Sequence, residues 1–321
     1  MKSKSNHSGS KKILFLLILL LISGFTFSQS KAKKIDQLVD KYKEYGKFNG
    51  SVLVANQGKV IFKKGYGMAN MEWNIPNAPD TKHRLGSITK QFTAMLIMQL
   101  VAEGKIDLEE KVTHYLPDYP KATGEIISIH NLLTHTSGIP NYTNFTKFRD
   151  QTKKSYTPTE FISVFQDSAL EFTPGSKFNY SNSGYFLLGV IIEKVSGNTY
   201  EDMLIEKIFK PLGMNNSGYD HHSTILKKRA AAYEKGGSGY VNAAYLDMSI
   251  PYAAGSMYST VEDLYLWDQA LYTNKLLPQK YMDMYFKPHI PAFGRGHYAY
   301  GWGLGYGKIG KSTDSIYTIG H

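Results

Sequence analysis

Apolar positions recur at helical spacing through the middle of this chain and at strand spacing near both ends. Ile35, Leu38, Val39 and Tyr42 fall at i, i+3, i+4 and i+7, which predicts an exposed amphipathic helix from Lys31 to Tyr45. Ser51 to Ala55 and Lys59 to Phe62 then predict two strands, joined by a hairpin turn at Asn56-Gln57-Gly58. Gly65-Tyr66-Gly67 and Asn74-Ile75-Pro76 read as loops. They lead into a run from Leu85 to Glu103, where Ile88, Phe92, Met95, Leu96, Leu100 and Val101 keep helical spacing until Gly104 stops it.

Helical signals dominate the middle of the chain. Ser128 can cap a short helix from Ile129 to His135, ended by Ser137-Gly138-Ile139-Pro140. The stretch from Asn141 to Tyr156 is polar and irregular. Thr157-Pro158-Thr159-Glu160 forms a capping box with proline at the first helical position. Further helices run from Gly184 to Val195, closed by Ser196-Gly197, and from Thr199 to Phe209, ended by Pro211. Another opens at Ser259-Thr260-Val261-Glu262 and carries Leu264, Leu266, Trp267 and Leu271. Near the end the period becomes two. Tyr298, Tyr300, Trp302, Leu304 and Tyr306 alternate with Ala299, Gly301, Gly303 and Gly305, which predicts one strand with its large side chains on one face. Ser315 to Ile319 is a last strand-like run. Strands at both ends and helices between them predict an α/β domain interrupted by a helical one.

Composition adds an address. Lys2, Lys4, Lys11 and Lys12 precede the apolar run from Ile13 to Ile22, and small residues Thr26 and Ser28 precede Gln29. This predicts an export signal over residues 1–28, a domain over 29–321, and a periplasmic or secreted location. The apolar run is short for a membrane span, although an uncleaved anchor would use the same residues. The 321 residues, 42% of them hydrophobic, suffice for a large core. The absence of cysteine excludes disulfides, thiol chemistry and a lipoprotein anchor. Net charge is +10, or about +6 without the four signal lysines. The basic residues are scattered and form no helical stripe, so nucleic acid is not a predicted partner. Loose association with a cell wall or membrane surface fits the charge. No metal-ligand spacing such as HExxH occurs, and the glycines near 301–305 do not form a dinucleotide fingerprint, so no metal or cofactor is expected.

The candidate chemistry starts at Ser87. It follows a glycine that permits a tight entry turn, and Lys90 is three residues on, on the same helix face. A serine needs a neighbour to take its proton, and a lysine can do so if burial lowers its pKa. Free N–H groups at the helix start can hold the resulting oxyanion. A second candidate, Tyr180-Ser181-Asn182, precedes an apolar helix. It offers a phenol as proton carrier and an amide that can contact a substrate amide. Both patterns are loose in isolation. Ser-x-x-Lys also occurs at Ser8, Ser28 and Ser30, and Tyr-x-Asn at Tyr142, Tyr240 and Tyr272. On spacing alone, an N-cap serine with a solvated lysine one turn on, and a packed tyrosine with its hydroxyl satisfied, are the better accounts of them.

Taken in order, the motifs resemble a known family. It is the serine hydrolase family of class C β-lactamases, D-alanyl-D-alanine carboxypeptidases (penicillin-binding proteins), esterases and D-aminopeptidases. The matching stretches are Leu85-Gly86-Ser87-Ile88-Thr89-Lys90, the run from Leu132 to Pro140, and Tyr180-Ser181-Asn182-Ser183-Gly184-Tyr185. They continue with Pro211-Leu212-Gly213-Met214, the run from Ala254 to Thr260, and Tyr300-Gly301-Trp302-Gly303-Leu304. The resemblance covers about Phe48 to the end. It implies a β-lactamase-like fold, an antiparallel sheet flanked by helices with an inserted helical domain. The α/β part would comprise 29–92 and about 250–321, and the helical part about 93–249. It further implies that Ser87 is acylated, that Lys90 and Tyr180 share general-base duty, and that Asn182 contacts the substrate amide. His321 would begin a third motif, binding a substrate carboxylate or assisting proton transfer, and His135 would be structural. The chain stops on the first residue of that third motif, so against the family pattern it reads as truncated at its C-terminus. The implied function is cleavage of an amide or ester: a cell-wall D-Ala peptide, a β-lactam or a small ester. The rival reading, supported by the incomplete third motif, is a non-catalytic binder or sensor of cell-wall peptides, or an inactive truncated product.

Overall fold

The computed structural model describes residues 31–237, 239–308 and 315–320. The export signal predicted over residues 1–28 lies outside them. The chain divides into two compact units, Met1–Thr81 and Lys82–His321.

In the first unit the amphipathic helix spans 31–44. Its Asp36 accepts hydrogen bonds from Lys64 Nζ at 2.7 Å and Tyr66 Oη at 2.6 Å. The expected hairpin is present, with Gly50–Asn56 antiparallel to Lys59–Tyr66. Gln57 and Gly58, both at positive φ, make its turn. The segments expected to be loops are partly strand. Tyr66 ends the second strand, and Met68–Asn70 pairs antiparallel with Ile75–Pro76 across an irregular register. Strands of two or three residues are too short to show a period, so pattern could not reveal them.

The second unit is built around the helix Thr89–Ala102, which a 3₁₀ turn at Gly86–Ile88 introduces. The apolar spacing suggested one buried face, but every residue from Thr89 to Leu100 is buried. Other elements cover each side. Phe92 stacks on Trp267 of the helix Val261–Ala270, with ring centroids 4.1 Å apart. Trp267 Nε1 donates to Gln91 Oε1 at 3.1 Å, and Tyr285 Oη to the Gln91 carbonyl at 2.7 Å. Thr93 Oγ1 reaches the Ala253 carbonyl at 2.6 Å and Tyr200 Oη at 2.7 Å. Burial of these polar groups is therefore compensated by hydrogen bonds rather than avoided.

Three boundaries differ from expectation, each for a local reason. The helix from Ile129 ends at Leu133, because His135 lies at φ +57 and cannot continue it. The helix expected to end before Pro211 runs on. Tyr200–Leu204 passes into a π turn at Ile205–Phe209 and then Lys210–Leu212, and Gly213 at φ +72 ends it. The carbonyl four residues before Pro211, on Lys207, instead accepts Gln99 Nε2 at 3.4 Å. The stretch from Asn141 is also more ordered than its polarity suggested. It holds a 3₁₀ turn at Tyr142–Asn144, with Tyr142 buried, and a short helix at Phe148–Gln151.

The period-two segment is two strands, not one. Gly296–Tyr298 pairs antiparallel with Gly303–Lys308, His297 opposite Leu304, within a four-stranded sheet that also holds Ile290–Ala292 and Ser315–Gly320. Between the paired strands, Gly301 turns the chain at φ +82. A Cβ there would sit 2.8 Å from the Lys90 carbonyl oxygen and 2.9 Å from Gln91 Cα. Glycine thus lets this turn lie directly on the Ser87–Lys90 helix. A second antiparallel sheet places Met257–Ser259 between His83–Arg84 and Gly218–Tyr219.

Gly301→Ala combines a forbidden φ with a backbone clash. It should lower unfolding free energy by about 2–3 kcal/mol, read as a lower urea midpoint at unchanged slope.

Candidate active site

Ser87 is placed by the residue before it. Gly86 lies at φ +53, although a Cβ there would meet no atom within 4 Å. Glycine is required for backbone conformation, not for space. Leu85 N–H donates to the Met257 carbonyl at 2.8 Å, tying the turn to the neighbouring strand. Ser87 then stands in the first turn, where backbone N–H groups have no helical acceptor.

Lys90 is fully buried one turn on. Its Nζ is 2.8 Å from Asn182 Oδ1, 2.7 Å from the Ala254 carbonyl and 3.2 Å from Ser87 Oγ. Among the described residues no carboxylate pairs with it. Burial without countercharge drives its pKa well below 10.5. A neutral amine has two N–H donors and one lone pair. The two carbonyl-type acceptors match the donors, so the lone pair is left directed at the serine hydroxyl.

Tyr180 Oη donates to Ser87 Oγ at 2.8 Å. Burial pushes the phenol up to about 12, with the Ser87 bond offsetting part of the rise. The phenol is therefore protonated at neutral pH, a proton donor to Ser87 in this state. Ser87 Oγ lies between a donor, Tyr180, and a lone pair, Lys90.

Three of these residues depend on neighbours whose importance sequence did not reveal. Asn141 Oδ1 accepts from Asn182 Nδ2 at 3.2 Å and from Asn182 N–H at 3.3 Å. This fixes the amide so that Asn182 Oδ1 faces Lys90. His135 is buried beside the same segment, its ring 4.3 Å from that of Tyr180. Its Nδ1 accepts the Ser181 N–H at 3.1 Å, so Nε2 carries the proton toward Tyr298 Oη at 3.2 Å. The Ala254 carbonyl completes the lysine's cage. No period or spacing marks Asn141, whose nearest signal was the Gly138-Ile139-Pro140 turn before it; Ala254 opens one of the motif stretches, but nothing there assigned its carbonyl to Lys90. His135 was expected to be structural, and it packs directly against the Tyr180 ring.

The structure thus brings Ser87, Lys90, Tyr180 and Asn182 together across as many as 92 or 93 residues of sequence. His321, the fifth candidate, lies outside the described residues. A family model described as Beta-lactamase matches residues 34–319. PbpX of Bacillus subtilis is 34% identical over 277 residues, covering 84% of this chain and 68% of that protein. The chain spans 64% of another curated Bacillus subtilis relative that it matches. A solved penicillin binding protein from Bacillus halodurans superimposes with a TM-score of 0.73 at 30% identity, covering 83% of each chain. D-amino acid amidase from Ochrobactrum anthropi SV3, complexed with L-phenylalanine amide, gives a TM-score of 0.72 at 29% identity over 84% of this chain and 77% of that one.

A neutral, caged lysine has two measurable consequences. Labelling of Ser87 by a fluorophosphonate should accelerate as pH rises through the depressed Lys90 pKa, because only the neutral amine accepts a proton, and should level off well below pH 10.5. Asn141→Leu should release the Asn182 amide and slow labelling by about a hundredfold, with the fold retained by circular dichroism.

Proposed function

This chain belongs to the Beta-lactamase family, whose members are serine hydrolases, and on that premise we propose that it cleaves an amide or ester through an acyl-enzyme at Ser87. One observation carries the proposal. Burial holds the Lys90 pKa well below its usual value, and Nζ meets Asn182 Oδ1, the Ala254 carbonyl and Ser87 Oγ, so that the neutral amine, with its two N–H groups on the first two, keeps its lone pair for Ser87 Oγ.

In this reading Lys90 takes the Ser87 proton as Oγ bonds to the substrate carbonyl carbon. The charge moves onto the carbonyl oxygen, which the N–H groups of the first helical turn stabilise. Lys90 becomes an ammonium facing the Tyr180 and Tyr185 rings, whose centroids are 4.9 and 5.6 Å from Nζ. Their faces favour the charge that burial opposed. Collapse of the intermediate breaks the bond to the amine or alcohol. That group departs with a proton supplied by the Lys90–Tyr180 pair, the phenol being the protonated member beside Oγ. Water then takes up the acyl group by the same steps in reverse. Asn182 holds Lys90 through Oδ1, and this reading gives its second Nδ2 N–H to the substrate amide.

For substrate, the reading that fits both the chemistry and the relatives is a small amide or peptide with a D-configured residue, such as a cell-wall D-Ala peptide. β-Lactams and small esters are the competing acyl donors. The likeness to a D-amino acid amidase and to penicillin-binding proteins supports this choice. Export, with removal of residues 1–28, fits such a substrate. Among the described residues no helix is long and apolar enough to cross a membrane.

Intact mass of the protein from its native host, before and after a fluorophosphonate, tests the proposal. The expected result is loss of residues 1–28 and one adduct on Ser87. Ser87→Ala should remove the adduct and lower turnover of a D-alanyl amide by at least about a thousandfold, and Tyr180→Phe by about a hundredfold or more. A folded protein that takes no adduct would refute the acyl-enzyme.

A further inference from the structure

Two histidines clamp the tyrosine that precedes the Gly301 turn. His289 stacks on Tyr300, with ring centroids 4.1 Å apart and planes 14° from parallel. His130 Nδ1 is 2.8 Å from Tyr300 Oη. The two imidazoles also meet edge to face, 5.2 Å apart. Tyr300 is buried and both histidines are half-buried. The clamp bears on the base of the serine site. Gly301 lies against the backbone of Lys90 and Gln91, and Tyr300 N–H donates at 3.2 Å to the carbonyl of Tyr285, whose hydroxyl holds the Gln91 carbonyl.

These contacts suit uncharged imidazoles. The hydroxyl of a buried tyrosine needs an acceptor, and His130 Nδ1 serves only while it keeps its lone pair. A proton there turns the acceptor into a donor. His289 Nε2 donates to the Met284 carbonyl at 2.9 Å, so its next proton goes to Nδ1 and makes the ring a cation. Two charged rings would then stand 5.2 Å apart.

The charged neighbours do not offset this. Burial lowers the His130 pKa, with Glu109 opposing the fall and Lys287 adding to it. Burial also lowers His289, to about 4. The Met284 carbonyl opposes that fall, and His130 and Lys287 deepen it. The Tyr300 face favours a cation on His289, which is one contact against several. In water both rings would regain a pKa of about 6.5. A base whose pKa is depressed in the closed state stabilises that state above about pH 6.5, and the contribution is lost as pH falls toward about 4.

We propose that His130 and His289 form an acid-sensitive latch, which holds the Tyr300–Gly301 turn on the Lys90 helix at neutral pH and releases it in mild acid. Opening lets both rings take up protons in water and separates the like charges. The bearing of the latch on turnover rests on the acyl-enzyme reading, whereas the latch itself does not. Metal binding is a poorer role for the pair, since among the described residues no three His, Asp or Glu side chains form a metal-holding group.

Hydrogen exchange of the full chain at about pH 7 and about pH 5, corrected for the intrinsic exchange rate, tests the proposal. The amides to follow are those of Ala299 and Tyr300, which donate to the Trp302 and Tyr285 carbonyls. Their protection should fall about tenfold between the two conditions. His289→Phe keeps a ring on Tyr300 and cannot titrate, and His130→Asn sets an amide oxygen near the place of Nδ1. Each should cut the fall to about threefold, and the double variant should abolish it. Ser87→Ala should show the full fall, so that failure of the acyl-enzyme and failure of the latch are told apart. Should one histidine variant lack a native thermal transition at neutral pH, the other and the unaltered chain decide. Equal protection of the unaltered chain at both pH values, or the full fall retained in the folded histidine variants, would overturn the proposal.

Discussion

A lysine buried without a countercharge is the constraint on which the rest of this structure turns. Lys90 has no exposed surface, and its pKa falls because burial disfavours the charged form. Such a residue is tolerable only as a neutral amine with its donors satisfied, since leaving them bare would add a desolvation cost of about 1–3 kcal/mol each. Asn182 and the 252–254 turn supply the two acceptors. Once these are in place, the one unfilled valence of Nζ is its lone pair, and Ser87 is beside it. The conditions that make the lysine tolerable in the interior are the ones that suit it to take a proton.

This constraint reaches outward through the helix that carries the lysine. That helix is buried on every side, so each polar residue on it needs a partner from a different element. Thr93 is met by the carbonyl of Ala253 and the hydroxyl of Tyr200, and Gln91 by Trp267. The Gln91 carbonyl is met by Tyr285. Each contact joins the helix to a segment more than 100 residues away in sequence. The glycine at 301 acts in the same way by absence, letting backbone rest against backbone next to Lys90. The base of the site is held by these contacts, and positioning of Tyr180 and Asn182 falls to His135 and Asn141 on the facing segments.

A pocket lined by Glu193, Tyr219 and Tyr252 shares one segment with the serine site. The turn from Tyr252 to Ala254 belongs to both places. Its first residue lines the pocket, and the carbonyl of its last holds Lys90.

The sequence by itself determined the elements whose cause is local. The cap at Ser128, the capping box at Thr157, the hairpin at Gln57-Gly58 and the glycine stop at Gly197 were legible because each depends on residues within a few positions. The ordered motifs also marked Ser87, Lys90, Tyr180 and Asn182 as candidates. Only the tertiary structure decided what those residues can do. No local pattern states that Lys90 is buried on all sides, that Asn141 turns the Asn182 amide toward it, or that burial keeps the Tyr180 phenol protonated. It also decided that an alternating run of tyrosines and glycines folds back as two strands at Gly301. A single strand and a hairpin share that pattern, and only the helix lying against Gly301 distinguishes them. Local free energy is written in neighbouring residues, whereas desolvation and hydrogen-bond partnership depend on what the fold brings from elsewhere.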